Sequence, residues 1–216
     1  MHLTIEQLPP GGMFVAHDVP WDDYEQLLRE VSHRPGVRIT YDQGRLQAVA
    51  PLRAHEHYAQ VLADIASLTA EALDLPFEQL GSTTFRQRAQ SRGVEPDRCF
   101  YIANAHRILG RLTLDLDTDP PPDIVVEIDL SSDSDTKLPI YASMGVPEIW
   151  KFDGAHASIL RLASDGAAYA PSPASRFYPV LSPAVLDEHL ALSKVSGQKV
   201  FRRAFRAWLQ TTLPAS

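Results

Sequence analysis

Between Pro120 and Ser132 the chain reads PPPDIVVEIDLSS, which sets three carboxylates, Asp123, Glu127 and Asp129, around a short apolar run. On a β-strand side chains alternate between two faces, so Asp123, Val125, Glu127 and Asp129 share one face while Ile124, Val126 and Ile128 share the other. Glu127 and Asp129 are then neighbours roughly 6.5–7 Å apart. Two acids at that separation in a partly desolvated place repel unless a cation or a shared proton offsets their charge. The plainer reading is a buried strand whose C-terminal end emerges into water with its acids hydrated.

A second acidic motif, Glu95-Pro96-Asp97, stands directly ahead of the strand-like run Arg98–Ile102. Acids at the ends of two adjacent strands can converge, so Asp97 and Glu127 are candidates to face one point. Lys137 follows on a short helical segment, and Tyr141 falls one helical turn beyond it on the same side. Two hard carboxylates and a lysine suit Mg²⁺ or Mn²⁺, and a lysine beside such an ion can orient an attacking water or offset charge on a phosphate. This is the composition of a metal-dependent phosphodiesterase. Taken singly, Lys137 also reads as a solvated helix residue and Asp97 as a turn residue.

The chain that must position these groups has 216 residues, 44% of them hydrophobic, enough to bury a core as one domain with extensions and too many for disorder. Its single cysteine, Cys99, excludes an internal disulfide and a cysteine-rich zinc site. The start, MHLTIEQLPPGG, lacks the basic and apolar regions of a signal peptide, and no apolar run approaches the roughly 18 residues that span a bilayer. The expectation is a soluble cytoplasmic protein with no membrane association. A formal net charge of −7 argues against a broad electrostatic grip on nucleic acid. Any such grip must be local, with Arg86 and Arg88 near the acids and Arg202, Arg203 and Arg206 near the end as its candidates.

Periodicity supplies the elements. Tyr24, Leu27, Leu28 and Val31 recur at helical spacing within Trp21–Val31, and Val37–Asp42 and Arg45–Ala50 read as strands joined by a hairpin through Gln43-Gly44. The strongest helical pattern is His55–Leu73, with Pro76 just beyond it. Phe77–Leu80, Thr83–Arg88 and Arg98–Ile102 read as strands separated by Gly81, Gly93 and Pro96. Ser134–Met144 reads as a short helix, followed by strands Glu148–Phe152 and Ala157–Leu162. Phe201, Phe205, Trp208 and Leu209 form the apolar stripe of a basic amphipathic helix.

The order PD, ExD, K, Y and GVPEIW resembles the PD-(D/E)XK nuclease superfamily and, within it, the Uma-type family of restriction-endonuclease-like proteins. The likeness runs from about Trp21 to Leu162. It rests on Gly81-Ser82-Thr83-Thr84-Phe85-Arg86, on Glu95-Pro96-Asp97 with Cys99-Phe100-Tyr101-Ile102, on Asp119-Pro120-Pro121-Pro122-Asp123, and on Pro139-Ile140-Tyr141 through Gly145-Val146-Pro147-Glu148-Ile149-Trp150.

The resemblance implies an α/β restriction-endonuclease-like fold, a mixed β-sheet flanked by α-helices, with Asp97 as the first motif acid and Glu127 as the second. The superfamily pattern sets lysine two residues after the second acid, where this chain has Asp129. It resembles the branches whose lysine has moved to the following helix, which makes Lys137 the replacement. His55 and Glu56 then fall where they could reach the metal or its waters, and Arg86 where it could meet a phosphate. His55 and His57 do not share a helix face, and His106 reads as structural or solvated.

The organisation implied is a nuclease-like domain over 1–162 and an extension over 163–216 ending in the basic helix. The activity implied is Mg²⁺- or Mn²⁺-dependent cleavage of DNA phosphodiesters. Asp97, Glu127 and the carbonyl of Ile128 hold the metal, Lys137 assists the attacking water, and Asp129 tunes or extends the carboxylate cluster. A homodimer would supply the two sites that cutting a duplex requires. The alternatives are a non-catalytic binding or assembly module on the same fold and a carboxylate-pair glycosidase, which would leave Lys137 and the Pro96-Asp97 motif without a role.

Overall fold

The computed structural model describes residues 8–31, 36–81, 83–111, 113–130 and 134–213. Residues 1–7, Ser82 of the quoted motif, and Ser131 and Ser132 after the acidic strand lie outside the described residues.

Two sheets carry the fold. The first is antiparallel and five-stranded, built from β1 (Met13–Ala16), β2 (Arg38–Asp42), β3 (Arg45–Val49), β5 (Phe85–Gln87) and β6 (Arg92–Val94) in the order β1-β3-β2-β6-β5. Helix α1 (Trp21–Val31) covers it, packing Tyr24 and Leu27 on Ile39, Tyr41, Leu46 and Ala48. The second has six strands, β4 (Glu78–Leu80), β7 (Arg98–Tyr101), β8 (Ile124–Ile128), β9 (Glu148–Phe152), β10 (Ala157–Leu162) and β11 (Tyr169–Pro171). Their order is β11-β10-β9-β8-β7-β4, and every pairing is antiparallel except β8 with β9.

That one parallel pair shapes the molecule. Parallel neighbours cannot be joined by a tight turn, so the chain leaves the end of β8, crosses over the sheet and returns to the start of β9. The crossover is a 3-10 turn, Asp135–Lys137, running into helix α4 (Leu138–Ser143), with α3 (Ala105–Ile108) the short helix earlier in the chain. Ile140, Tyr141 and Met144 pack on Val125 and Ile149 across one face of the sheet. On the opposite face, helix α2 (Arg53–Ala72) lies over Phe100, Ile124, Val126, Ile128, Trp150 and Phe152. The alternation expected along β8 therefore holds residue by residue.

The last element, α5 (Pro183–Thr212), is not straight. A continuous helix would set His189 and Trp208 roughly 28 Å apart at about 1.5 Å per residue, yet their ring centroids are 5.6 Å apart. The chain reverses at Gly197, whose φ of 76° lies in the left-handed region open to glycine. The two halves form a helical hairpin against α2, and Tyr178, Leu181, Leu186, Leu190, Phe201, Phe205 and Leu209 join the core beneath α2.

Gly93 is expected from the sequence as a separator between strands and instead sits inside β6. A Cβ there would come 2.0 Å from the hydroxyl of Tyr24, so the glycine exists to let the buried tyrosine of α1 lie against the sheet. Strands β1, β6 and β11 and helix α3, three or four residues long each, have no counterpart in the periodicity reading, and neither does the first half of α5, ahead of Gly197.

Candidate active site

The motif Glu95-Pro96-Asp97 is the link between the two sheets: β6 ends at Val94 in the first and β7 begins at Arg98 in the second. Glu95 fastens the link by accepting the backbone N–H of Ile39 at 3.3 Å and the hydroxyl of Thr84 at 2.5 Å. Pro96 has no N–H to leave unpaired at this turn. Asp97 then grips β8 on both sides of Glu127. Its N–H donates to the carbonyl of Val126 at 3.1 Å, and its Oδ2 accepts the N–H of Ile128 at 2.8 Å.

Glu127 is buried at the centre of this arrangement. Lys137 reaches it from the crossover, with Nζ 2.7 Å from Oε2 and 3.4 Å from the carbonyl of Glu95. The hydroxyl of Tyr141 donates to Oε1. Both residues arrive from the segment that the parallel pair forces over the sheet, so the lysine and the tyrosine share an origin in topology. Burial, with Asp97 adding like charge, pushes the Glu127 carboxyl up to about 7 against the pull of Lys137. For Lys137, burial works downward, but Glu127 and Asp97 outweigh it and hold the ammonium above its ordinary range. Tyr141 is raised well above its usual value by burial and then by Glu127.

Around these groups lies a cavity of about 20 Å³, lined by Asp97, Glu127, Ile128, Asp129, Lys137 and His55 among others. It has room for about one water or small ion. His55, at the start of α2, is buried, and that burial pulls its imidazole pKa down against the opposing pull of Asp97 and Asp129. Arg38, Thr40 and Gln47 complete the wall from the first sheet. Arg38 Nε lies 4.0 Å from Asp97 Oδ1 and is buried with no hydrogen-bond partner among the described residues.

The structure separates residues that the sequence grouped. Asp123 spends its carboxylate on the turn after β7, accepting the N–H groups of Ile102 and Asn104 at 2.7 and 3.1 Å and the Asn104 amide at 3.1 Å. Asp129 stands at the rim, accepting the N–H and hydroxyl of Ser134 and pairing with Lys151 at 3.1 Å. Glu56 does not line the cavity and instead bridges Arg38 and Arg98 at 2.8 and 3.1 Å. Arg88 is held by Asp22 and Glu25 of α1, and Arg86 is exposed on β5 outside the cavity wall. The expectation that both arginines stand beside the acids is corrected here: the five-stranded sheet turns that hairpin toward α1. His57 meets Ser193 rather than the cavity, and His106 is exposed.

Arg38, Thr40 and Gln47 had no functional signal. Their alternation with Ile39, Tyr41, Leu46 and Ala48 marks them as one face of a hairpin, but nothing local says that this face closes a site built on another sheet.

The donors suit a hard cation. Asp97 and Glu127 offer carboxylate oxygens, the Ile128 carbonyl adds a third, and each Glu127 oxygen keeps a lone pair beyond the one met by Lys137 or Tyr141. Among the described residues no three His, Cys, Asp or Glu side chains cluster tightly enough to hold an ion by themselves.

A mixed sheet with an acid at its entry, a second acid on the neighbouring strand and a lysine on the crossover defines the class as a restriction-endonuclease-like α/β fold. The model of the family Uma2, described as "Putative restriction endonuclease", matches residues 21–193, and the chain belongs to that family. The crystal structure of "a putative nuclease belonging to DUF820" from Anabaena variabilis ATCC 29413 matches with a TM-score of 0.53 at 16% sequence identity, over 80% of this chain and 99% of that one. At that identity the likeness carries the fold alone. No curated protein matches the chain. No helix among the described residues is long and apolar enough to cross a membrane.

Proposed function

We propose that this chain is an Mg²⁺- or Mn²⁺-dependent endonuclease that hydrolyses DNA phosphodiester bonds. The observation that carries this reading is the buried contact of Glu127 with Lys137 and Tyr141, joined to Asp97 through the two strand bonds that flank Glu127. Asp97, Glu127 and the Ile128 carbonyl would hold the ion. When bound, such an ion acidifies a coordinated water and draws charge from a phosphate oxygen.

The chain's own groups have distinct parts. Asp97 fixes the height of β8, so the Glu127 carboxylate and the Ile128 carbonyl face the cavity together. Tyr141 fixes the rotation of the Glu127 carboxylate. Lys137 keeps a positive charge beside the acids, where it can orient the attacking water and stabilise negative charge on the phosphoryl oxygens. In the reaction the water oxygen bonds to phosphorus, one P–O ester bond breaks, and the departing oxygen takes up a proton. Asp129, tied to Lys151 and Ser134, shapes the rim. Cutting both strands of a duplex calls for a second copy of the site, which a two-fold dimer supplies.

The competing reading is a non-catalytic module that keeps the nuclease fold, and the observation in its favour is that both Glu127 oxygens already have protein partners. One experiment decides between them. Purified protein is incubated with supercoiled and linear DNA in Mg²⁺, Mn²⁺ or EDTA, and its thermal midpoint is followed across the same series. The nuclease reading expects nicking that depends on the metal, a midpoint raised by Mn²⁺, and loss of both in Glu127→Ala. Metal-independent behaviour with no cleavage by the folded wild type would establish the module.

A further inference from the structure

All 27 acidic residues of the chain precede His189, and the 28 residues from there onward carry Lys194, Lys199, Arg202, Arg203 and Arg206 with no acid among them. In a protein of net charge −7 this is a sharp segregation. The fold concentrates it further. Because α5 reverses at Gly197, Lys194 and Lys199 flank the tip of a helical hairpin, and residues 194–200 are all exposed. Val195 and Val200 stand at the same tip, 86% and 49% exposed.

Three contacts fix where the tip lies. Ser193 Oγ is 3.3 Å from His57 Nε2, Arg202 pairs with Asp64 at 3.7 Å, and Arg206 pairs with Glu71 at 3.7 Å. The second half of the hairpin therefore runs alongside α2 in the same direction, and its start is level with the first turns of α2. His55, on those turns, lines the cavity. The basic tip and the acidic site lie at the same end of α2.

Beyond the tip, Lys199, Arg203 and Arg206 recur at i, i+4 and i+7 and make one stripe along the helix. They border a shallow groove of about 730 Å³ whose remaining polar lining includes Gln198, Arg202 and Gln210. Among the described residues Lys194, Lys199 and Arg203 have no ion-pair partner, whereas Arg202 and Arg206 are partly neutralised by their acids on α2.

We infer that the hairpin tip and its stripe form the surface that grips the sugar-phosphate backbone of duplex DNA and holds the duplex beside the cavity. The proposal takes its ligand class from the nuclease reading above. A duplex suits the arrangement because a stripe of cations along a helix matches a row of phosphates, and because a chain of this net charge needs a local patch to hold a polyanion at all. An anionic lipid surface is the rival for exposed lysines beside valines.

The test is binding of a short fluorescent duplex by the full chain in EDTA, where cleavage plays no part, across a range of salt concentrations. Lys194→Glu/Lys199→Glu/Arg203→Glu is compared with wild type, and the milder Lys194→Gln/Lys199→Gln/Arg203→Gln guards against a folding effect, with thermal midpoints measured for each. The expected result is at least about tenfold weaker binding by the charge-reversed variant at low salt, and a salt slope shallower by about 0.9 for each phosphate no longer neutralised, with the glutamine variant intermediate. Equal affinity and slope in folded variants would overturn the proposal. So would a wild type that ignores the duplex, or one that prefers vesicles of phosphatidylcholine with phosphatidylserine. A wild type that binds through the tip but cleaves nothing in Mg²⁺ would leave this surface standing and remove the hydrolytic reading alone.

Discussion

The Nζ of Lys137 stands 2.7 Å from Oε2 of Glu127, a buried ion pair between the end of strand β8 and the start of the crossover that leads away from it. The contact ties the candidate site to topology, because the crossover exists to make β8 and β9 parallel, and the first thing it carries back over the sheet is the lysine. It also fixes what each partner needs. Breaking a buried pair by removing one member leaves the other charge uncompensated, which costs about 3–5 kcal/mol.

Lys137→Ala is expected to lower metal-dependent DNA cleavage by about 100-fold or more and to lower stability through the isolated Glu127. Lys137→Arg restores the charge without the shape of the ammonium and is expected to recover stability more than rate. Chemical denaturation and single-turnover cleavage on the same samples check the split. Equal recovery of both would assign Lys137 a structural part only.

Tyr141→Phe removes one hydroxyl from Glu127 and leaves Lys137 in place. A hydrogen bond to a charged acceptor contributes about 1.5–3 kcal/mol, so a drop of that order in unfolding free energy is expected. The cleavage rate should fall less than in Lys137→Ala. A rate loss as large as that of Lys137→Ala would make Tyr141 more than a positioning residue.

Glu148, within the GVPEIW motif, is fully buried and accepts from Trp150 Nε1 at 2.7 Å, Ser175 Oγ at 2.6 Å and the N–H of Arg176 at 2.6 Å. It ties strand β9 to the segment ahead of α5. Glu148→Ala leaves these donors unmet and is expected to destabilise by about 3 kcal/mol or more. Burial raises its pKa above the ordinary 4.5 against the pull of those donors. Its pH-linked contribution is therefore fully present below about pH 4.5 and is lost as pH rises through the folded-state value. The stability of wild type relative to Glu148→Gln should decline over that window and level off above it, as denaturation at a series of pH values would show. A difference that grows with pH would contradict the assignment.

Gly93→Ala should destabilise by about 1–3 kcal/mol through overpacking against Tyr24. Tyr24 cannot move aside, since it stacks on Tyr41 with centroids 4.7 Å apart and meets Trp21 at 5.1 Å. Tyr24→Phe should be nearly neutral, because the hydroxyl is buried without a hydrogen-bond partner among the described residues. It should not rescue Gly93→Ala, because the ring carbon Cζ would still lie 2.6 Å from the new Cβ. Thermal midpoints of the two single variants and the double variant test this.

Much of this was written in the local sequence. Helix α1 and strands β9 and β10 fall where periodicity sets them, and β2, β3 and α2 fall within two residues of it, because the spacing of apolar side chains reports directly on which face of an element meets the core. The order of Asp97, Glu127 and Lys137 also singled them out, since each acid lies at the end of a strand-like run and the lysine begins the helix that follows. What the sequence could not decide is what lies opposite each exposed-looking polar face. That Arg38, Thr40 and Gln47 close the cavity depends on how two sheets meet at Glu95, and that Asp123 serves a turn while Glu127 serves the site depends on neighbours ten or more residues away. The reversal at Gly197 is of the same kind. Only the packing of both halves on α2 makes the left-handed conformation of one glycine more favourable than a straight helix standing in water.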